Sequence, residues 1–454
     1  MCSSDLPVLP VMNAAASLPR RRFLKSTAAL AAAATLPEWF IAECEAAPRP
    51  RTRPPGPNEQ PAIALVGCGG MGRADAKSAA RFGRVVALCD VDDARIAQAR
   101  QEWPAASTYT DFRRVMDRDD IQVVICGTVD HWHTLVSLAA MRAGKDVYCE
   151  KPLTLTIAEG RLLADEAKKT GRILQTGSQQ RSDRNFRLAC ELARNGRIGK
   201  VSHVEVWLPA GPRRGPFAAS EPPAGFHWDL WLGPVTAVPY VKERAHGSFR
   251  YWWDYSGGTM TDWGAHHNDI ALWGLGLDRS GPVTAEGRPL RDMIPGGFDA
   301  FAEYDIQFTY ANGVSQTTRS TVDDNAGGGV VHREGQRHGV KFTGADGWIW
   351  VPRGETRASD PELPRTPLPA GAERLAVSDD HMGNFFDSVS SRKPPICDAE
   401  TGHRSATVCH LGVIAARLGR PLKWDPVRER FVGDREANGW LAREMRKPWS
   451  HRAV

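Results

Sequence analysis

Paired cysteines are missing from this sequence. Nine cysteines stand among 454 residues, yet no two are spaced as Cys-x-x-Cys, the arrangement typical of structural zinc sites and redox pairs. Cys68, Cys89, Cys126 and Cys149 instead fall on or just after short apolar runs, where cysteine usually acts as a small buried residue. The sequence therefore predicts neither a metal site nor a disulfide framework.

Long basic blocks and long apolar runs are also missing. Beyond the N-terminal region no Lys/Arg block exceeds a few residues, and the net charge of +5 is small for this length. Both facts argue against a nucleic-acid partner. The uncharged run Ser26–Pro37 has about twelve residues, whereas a helix needs about twenty to span a bilayer. We expect no stable membrane insertion.

The N-terminus does contain the layout of an export signal. Arg20-Arg21-Arg22-Phe23-Leu24-Lys25 precedes the alanine-rich run, and this pattern resembles twin-arginine signals, which export proteins that have already folded. Pro19 stands where such signals usually have Ser or Thr. The twin-arginine export machinery is therefore a predicted partner, and we expect the protein to be periplasmic or secreted.

Small residues and prolines indicate where the signal peptide ends and where the linker that follows it lies. Small residues favour cleavage near Ala46–Ala47, so residues 1–47 are predicted to be the signal peptide. Residues 48–60 are rich in proline and should form a stiff, extended linker. Lipidation at Cys44 is the less favoured alternative, because an acidic residue precedes that cysteine.

A strand, a glycine-rich turn and a helix follow the linker. The apolar run Ala62–Val66 leads into Gly67-Cys68-Gly69-Gly70-Met71-Gly72, and a helical stretch begins at Arg73. Between a strand and a helix, G-x-G-x-x-G indicates a dinucleotide site. Its glycines permit a tight turn, close approach to a pyrophosphate, and close packing of helix on strand. The predicted cofactor contacts are Gly67, Gly69, Gly70, Met71 and Gly72.

A second strand ends in Asp90, about twenty residues after the glycines. At this position a carboxylate binds a ribose 2′-hydroxyl and repels a 2′-phosphate. We therefore predict NAD rather than NADP as the cofactor. The alternative is that Asp90 only caps the following helix.

Strands and helices continue to alternate up to residue 178. Ile121–Cys126 and Val147–Cys149 are short buried strands, each followed by a helical stretch. This alternation predicts an α/β fold with a doubly wound parallel sheet, a Rossmann domain spanning residues 61–178. Right-handed crossovers bring the carboxyl ends of all the strands to one edge.

Polar residues stand at these strand ends. Thr128 and His133 follow one strand, and Glu150 and Lys151 follow the next. Pro152 biases Lys151 toward an extended backbone, so we expect its ammonium to point into the crevice shared with the glycine loop. A surface lysine without a role is the alternative.

The pattern changes in residues 179–454, which we assign to a substrate-binding and oligomerisation domain of α+β class. Asp262 and His266 are four residues apart and share a helical face, where a carboxylate can fix the tautomer of a histidine base. A salt-linked helix surface is the alternative. The weaker candidates for substrate contact are Arg181, Trp253, His267 and Asp269.

The chain resembles the glucose–fructose oxidoreductase/inositol dehydrogenase/MocA (Gfo/Idh/MocA) family. The resemblance covers nearly all the chain after the linker. It rests on the glycine fingerprint, on the segment Thr128–His133, on Glu150-Lys151-Pro152 after its apolar strand, and on the later Asp-x-x-x-His. Where the family often has Thr-Pro-Asn-x-x-His, Val129 and Asp130 replace the proline and asparagine here.

This resemblance implies roles for several residues. It implies that Lys151 is catalytic, that Glu150 contacts the nicotinamide end of the cofactor, and that Asp262 and His266 stand opposite the lysine. Thr128, His133 and Gln179 are further expected cofactor contacts. It also implies a largely open antiparallel sheet in the second domain, often used for homo-oligomer contacts.

Together these features predict an NAD-dependent oxidoreductase acting on a secondary hydroxyl of a carbohydrate: a sugar, polyol or glycoside. His266, oriented by Asp262, would take the hydroxyl proton while Lys151 stabilises the alkoxide; which of His266 and Lys151 is the formal base stays open. Because free NAD should be scarce outside the cytoplasm, we expect a tightly bound, recycled cofactor. The alternatives are a glycosidase that works by oxidation, elimination, hydration and reduction on bound NAD, and a non-catalytic sugar sensor.

Overall fold

The computed structural model describes residues 36–46, 60–320 and 338–452. Two sheets dominate this part of the chain, one in each of two consecutive domains. The twin-arginine pattern and nearly all of the predicted linker lie outside the described residues. None of the helices in the described ranges is long and apolar enough to cross a membrane.

A short helix, α1 (Glu38–Ala46), precedes the first domain and lies inside the range predicted as signal peptide. Leu36, Phe40 and Cys44 are buried. Their side chains belong to the hydrophobic core of the second domain, not to the first. The chain therefore contacts its second domain before it enters its first.

Six strands form the sheet of the first domain: β1 (Ala62–Val66), β2 (Arg84–Cys89), β3 (Ser107–Tyr109), β4 (Val123–Cys126), β5 (Asp146–Cys149) and β6 (Leu174–Thr176). Their order is β3-β2-β1-β4-β5-β6, and all neighbours are parallel. β1, β4 and β5 are buried along their whole length, because helices cover both faces of the sheet. The doubly wound sheet predicted from the alternating pattern is confirmed.

Five helices connect these strands: α2 (Gly70–Ala79), α3 (Asp93–Arg100), α4 (Arg113–Met116), α5 (Asp130–Arg142) and α6 (Ile157–Thr170). Thr156 and Glu159 form a capping box at the start of α6. No side chain caps the start of α2. Its first backbone N–H groups are therefore available to a ligand.

Nine strands form the second sheet: β7 (Val201–Leu208), β8 (Thr284–Pro289), β9 (Tyr304–Thr309), β10 (Ser315–Ser320), β11 (Gly339–Gly344), β12 (Trp348–Val351), β13 (Arg357–Ala358), β14 (Leu422–Asp425) and β15 (Arg430–Phe431). Their order is β13-β12-β11-β7-β10-β9-β8-β14-β15. Among the strands of this sheet that the structure describes, only β7 and β10 pair in parallel. The mainly antiparallel sheet expected for the second domain is confirmed.

Helices cover one face of this sheet. Burial alternates along β7 and β9, as a half-covered antiparallel sheet requires. The helices that pack on it are α7, α10 and α12. The helices of this domain are α7 (Arg184–Arg194), α8 (Trp228–Leu232), α9 (Thr259–Asp262), α10 (Gly264–Leu275), α11 (His381–Ser391), α12 (Ala399–Leu418) and α13 (Arg435–Asn438).

Residues 209–258, which we call the cover segment, leave β7 and cross over the first domain. The N–H of Asp93 donates to the carbonyl of Gly225 (3.0 Å), and that of His227 donates to the carbonyl of Val91 (2.9 Å). Aromatic side chains of the segment pack together in a core of their own. The segment therefore lies next to the end of β2, where Asp90 stands.

The C-terminal tail also returns to the first domain. The ring of Trp449 packs edge-on against Trp132, with 4.8 Å between ring centroids, and stacks near Phe112. It thereby adds to the hydrophobic core of the first domain. The N–H of Arg446 donates to the carbonyl of Pro234 in the cover segment (2.7 Å).

Candidate active site

Two glycines of the loop between β1 and α2 pack so closely against neighbouring backbone that no side chain fits there. A Cβ on Gly67, whose φ is +91°, would lie 2.5 Å from the carbonyl carbon of Gly127, and one on Gly72 would lie 2.0 Å from the carbonyl oxygen of Gly67. Gly69 and Gly70 have open space instead and line a cleft. Together with the uncapped start of α2, this open backbone fits a pyrophosphate group.

Asp90 lines the same cleft at the end of β2. Its carboxylate accepts hydrogen bonds from the N–H of Cys68 (2.6 Å) and of Asp92 (3.0 Å). Asp92, not Asp90, caps α3, since its side chain accepts from the N–H of Ala94. Burial raises the pKa of Asp90 to about 6. The carboxylate is fixed beside the glycine loop, where a ribose hydroxyl can reach it.

His133 joins the ends of β4 and β5. One ring nitrogen, Nδ1, lies 2.8 Å from the carbonyl oxygen of Pro152, and the other, Nε2, lies 3.2 Å from that of Thr128. The ring thus ties the loop after Lys151 to the loop after β4. Thr128 and His133 both line the cleft.

Glu150 is a buried carboxyl group at the floor of the cleft. It accepts a hydrogen bond from Nε2 of Gln179 (2.9 Å) and a longer one from the N–H of Lys151 (3.3 Å). Burial raises its pKa despite the neighbouring lysine. Asp75 of α2 lies beside it, and burial together with the charge of Glu150 raises the pKa of Asp75 well above its ordinary value.

The centre of the site is an ion-paired group that spans the two domains. Nζ of Lys151 lies 2.5 Å from Oδ1 of Asp262, and Nε of Arg250 lies 3.2 Å from the same oxygen. Burial acts to raise the pKa of Asp262, but the charges of Lys151 and Arg250 outweigh it and hold that pKa below its ordinary value. Asp262 is therefore an anion shared by two cations.

Arg250 is the site residue that the sequence did not reveal. It lies in the cover segment and lines the cleft together with Lys151. Neither a motif nor a periodic pattern surrounds it in the sequence. Arg250 and Asp262 are twelve residues apart and lie in different elements, so no helical or strand spacing relates them.

His266 stands behind this group. Among the described residues no hydrogen bond joins it to Asp262, and its Nδ1 has no partner there. Burial, followed by the charge of Lys151, lowers the pKa of His266 well below its ordinary value. The spacing of Asp262 and His266 along the helix predicted that these two residues pair. In the structure Asp262 pairs instead with Lys151 of the first domain.

Two of the predicted substrate contacts bind each other. Nε and Nη2 of Arg181 lie 2.7 and 2.8 Å from the two carboxylate oxygens of Asp269, and Ser405 donates to the same carboxylate. The side chains are 2% and 0% exposed. They form a buried bidentate pair within the second domain and do not line the cleft.

The other two candidates lie elsewhere as well. Nε2 of His267 lies 3.0 Å from Nδ1 of His338 in the interior. The ring of Trp253 is sandwiched between the guanidinium groups of Arg417 and Arg443, at 4.1 and 3.8 Å from the ring centroid. The structure does not bring either residue to Lys151. Within the described ranges, no cluster of His, Cys, Asp or Glu could hold a metal ion.

Known protein families match both domains. Residues 62–178 match the family model described as "Oxidoreductase family, NAD-binding Rossmann fold". Residues 214–338 and 357–451 match the model described as "Oxidoreductase family, C-terminal alpha/beta domain". Together the two models match more than half of the chain, and both describe domains of oxidoreductase families. The chain belongs to the Gfo/Idh/MocA family. A twin-arginine signal model matches residues 17–37.

Individual relatives match part of the chain. Myo-inositol 2-dehydrogenase of Thermotoga maritima is 30% identical over 181 residues, 39% of this chain and 54% of that protein. Glycosyl hydrolase family 109 protein 1 of Shewanella sp. is 30% identical over 129 residues, 26% of this chain and 28% of that protein. The chain therefore spans about half or less of the length of these relatives.

One solved structure illustrates the shared fold. The WlbA dehydrogenase from Bordetella pertussis, in complex with NADH and UDP-GlcNAcA, has a TM-score of 0.59 at 16% identity. The match covers 81% of this chain and 99% of that one. At this identity it establishes the fold alone.

Proposed function

We propose that the protein is an NAD-dependent oxidoreductase that oxidises or reduces a secondary hydroxyl or carbonyl group of a sugar, polyol or glycoside. The observation that carries the proposal is the group formed by Lys151, Asp262 and Arg250 at the carboxyl end of β5, beside the glycine loop. Ligands of open α/β sheets bind at that edge. Membership of an oxidoreductase family supports the assignment.

Each side chain of the site has a task in this proposal. A bound nicotinamide supplies the acceptor for the carbon-bound hydrogen of the substrate. Lys151 hydrogen-bonds the reacting oxygen and stabilises the negative charge that develops there. Asp262, held by Arg250, keeps the ammonium in position. Either Lys151 or His266, which is buried behind the group, is the base that takes the hydroxyl proton.

The preference for NAD over NADP rests on Asp90. Its carboxylate is fixed by two backbone N–H groups at the edge of the cleft. A ribose 2′-hydroxyl can donate to it, whereas a 2′-phosphate would be repelled.

The cover segment supports a cofactor that stays bound. Phe226, Trp231, Phe249 and Arg250 line the cleft from above, and the hydroxyl of Ser256 donates to Asp130 of α5 (2.6 Å). These contacts hold the cover segment beside the cleft, which we expect to slow the release of a bound dinucleotide. A retained cofactor suits export in the folded state to a periplasm poor in free NAD. Turnover then requires a second substrate, a later step on the same glycoside, or an electron acceptor.

A glycosidase acting through bound NAD is the second candidate, favoured by the similarity to the Shewanella protein. It would release an aglycone without net formation of NADH. A non-catalytic sugar sensor would not need Lys151 and Asp262 paired in the cleft. The uncovered face of the second sheet is the surface on which we expect a homo-oligomer to form.

A substrate panel tests the proposal. Purified protein is incubated with sugars, polyols and aryl glycosides while NADH absorbance and aglycone release are recorded together. Formation of NADH, or reduction of an added carbonyl acceptor, supports the oxidoreductase. Aglycone release without NADH identifies the glycosidase, and no turnover with saturable sugar binding identifies the sensor.

A further inference from the structure

The helix α1 buries one side in the second domain. Phe40 and Cys44 of the helix, one turn apart, are 0% and 1% exposed, and Leu36, two residues before the helix begins, is 8% exposed. All three belong to the same hydrophobic core as the central strands of the second sheet. Ala42, on the opposite side, is exposed. The burial pattern is that of a structural helix of the domain.

Polar contacts attach the helix at three further points. Arg187 of α7 places its guanidinium over the ring of Phe40, 4.4 Å from the centroid, and donates from Nη2 to the sulfur of Cys44 (2.6 Å). Nε1 of Trp39 donates to the carbonyl of Pro364 (3.0 Å). Glu43 pairs with Arg374.

Removal of α1 would uncover a buried ion pair. Arg187 and Glu191, joined by a 2.9 Å contact, are 3% and 0% exposed. Without Phe40 and Cys44 above it, this pair and the surrounding apolar side chains would face water. Exposure of the apolar side chains would lower stability and promote aggregation.

We infer that signal-peptide removal takes place before Leu36 and that residues 36–46 remain in the exported protein as part of its second domain. A twin-arginine substrate folds before export, so α1 is docked before a peptidase meets the chain. The match to the signal model ends at residue 37, before α1 begins at Glu38, and the small residues Ala31–Ala34 are of the kind that signal peptidases require. Cys44 is then an internal, buried thiol and cannot be a lipidated N-terminus.

The intact mass of the exported protein tests this inference. The full precursor is produced in a bacterium with a twin-arginine pathway, the periplasmic fraction is purified, and its N-terminal peptide is sequenced by mass spectrometry. We expect an N-terminus before Leu36 and a peptide that contains Phe40 and unmodified Cys44. An N-terminus at Ala47 or Pro48 in stable protein, or a lipid on Cys44, overturns the inference.

A pair of variants on α1 tests its structural role. Phe40→Ala opens the buried side of the helix, whereas Ala42→Ser on the exposed side is the matched control. We expect the maleimide labelling rate of Cys44, followed on its peptide, to rise at least tenfold in Phe40→Ala, with a lower melting temperature, and to stay at the wild-type value in Ala42→Ser. Equal labelling rates and melting temperatures in both variants overturn the structural role of α1.

Discussion

Lys151→Met should abolish turnover while leaving the dinucleotide bound. The substitution removes the ammonium that lies 2.5 Å from Oδ1 of Asp262 and that we place on the reacting oxygen. Loss of such a group typically lowers kcat by ~10²–10⁴, equivalent to about 3–5 kcal/mol in the activation barrier. The glycine loop and Asp90, which carry the cofactor contacts, are untouched.

The variant should also fold. Asp262 keeps one cation, because Arg250 remains 3.2 Å away, so the carboxylate is not left as an isolated charge. The measurement combines kcat, the bound dinucleotide content after denaturation, and the melting temperature. Lys200→Met, at an exposed position before β7, is the matched control and should behave like wild type.

Two results would refute this reasoning. A Lys151→Met protein that keeps at least about a tenth of kcat, well above the usual range for a general acid or base, would remove Lys151 from the chemistry. An inactive variant that has also lost its dinucleotide would assign the lysine to cofactor binding instead.

Three further predictions concern the cofactor and its surroundings. Asp90→Ala should weaken NAD and improve NADP relative to it, measured as a ratio of Kd values; a wild-type preference for NADP would contradict the role of Asp90. Asp75→Asn should stabilise the protein increasingly as pH rises. Burial and the charge of Glu150 raise the pKa of Asp75 in the fold, so the folded protein holds this proton to a higher pH than the unfolded chain does, and wild type loses stability as pH rises above ~4, by at most about 1.4 kcal/mol per pH unit; melting curves that shift equally at pH 4 and pH 8 would exclude this. Protein isolated from the periplasm should carry close to one dinucleotide per chain by mass spectrometry, and empty protein active only with added millimolar NAD would exclude a retained cofactor.

The convergence of the cofactor residues could be predicted because topology alone produces it. In a parallel sheet with right-handed crossovers, residues that directly follow the strands must meet at one edge. Gly67, Asp90, Thr128 and Lys151 each follow a strand, and the structure places all four on one cleft. Local signals along the sequence were sufficient for this part of the site.

Partners that come from distant parts of the chain could not be predicted in this way. The spacing of Asp262 and His266 suggested a pair on one helix, yet the nearest cations to Asp262 are Lys151 of the first domain and Arg250 of the cover segment. Arg181 and Asp269 were weaker candidates for substrate contact, but the structure pairs them with each other in the interior. The residue type determines what a side chain is able to bind. It does not determine which partner the fold places next to that side chain.

Trp449, near the end of the described chain, packs on Trp132 and Phe112 of the first domain. A ribosome therefore completes all six strands of that domain long before it makes the residue that finishes its core. The nucleotide-binding domain therefore lacks the side chain that packs on Trp132 and Phe112 until Trp449 has been made, whereas the twin-arginine pattern is made before either domain. If this signal exports the folded protein, as we propose, the export machinery has to leave the chain aside until the segment around Trp449 has been added.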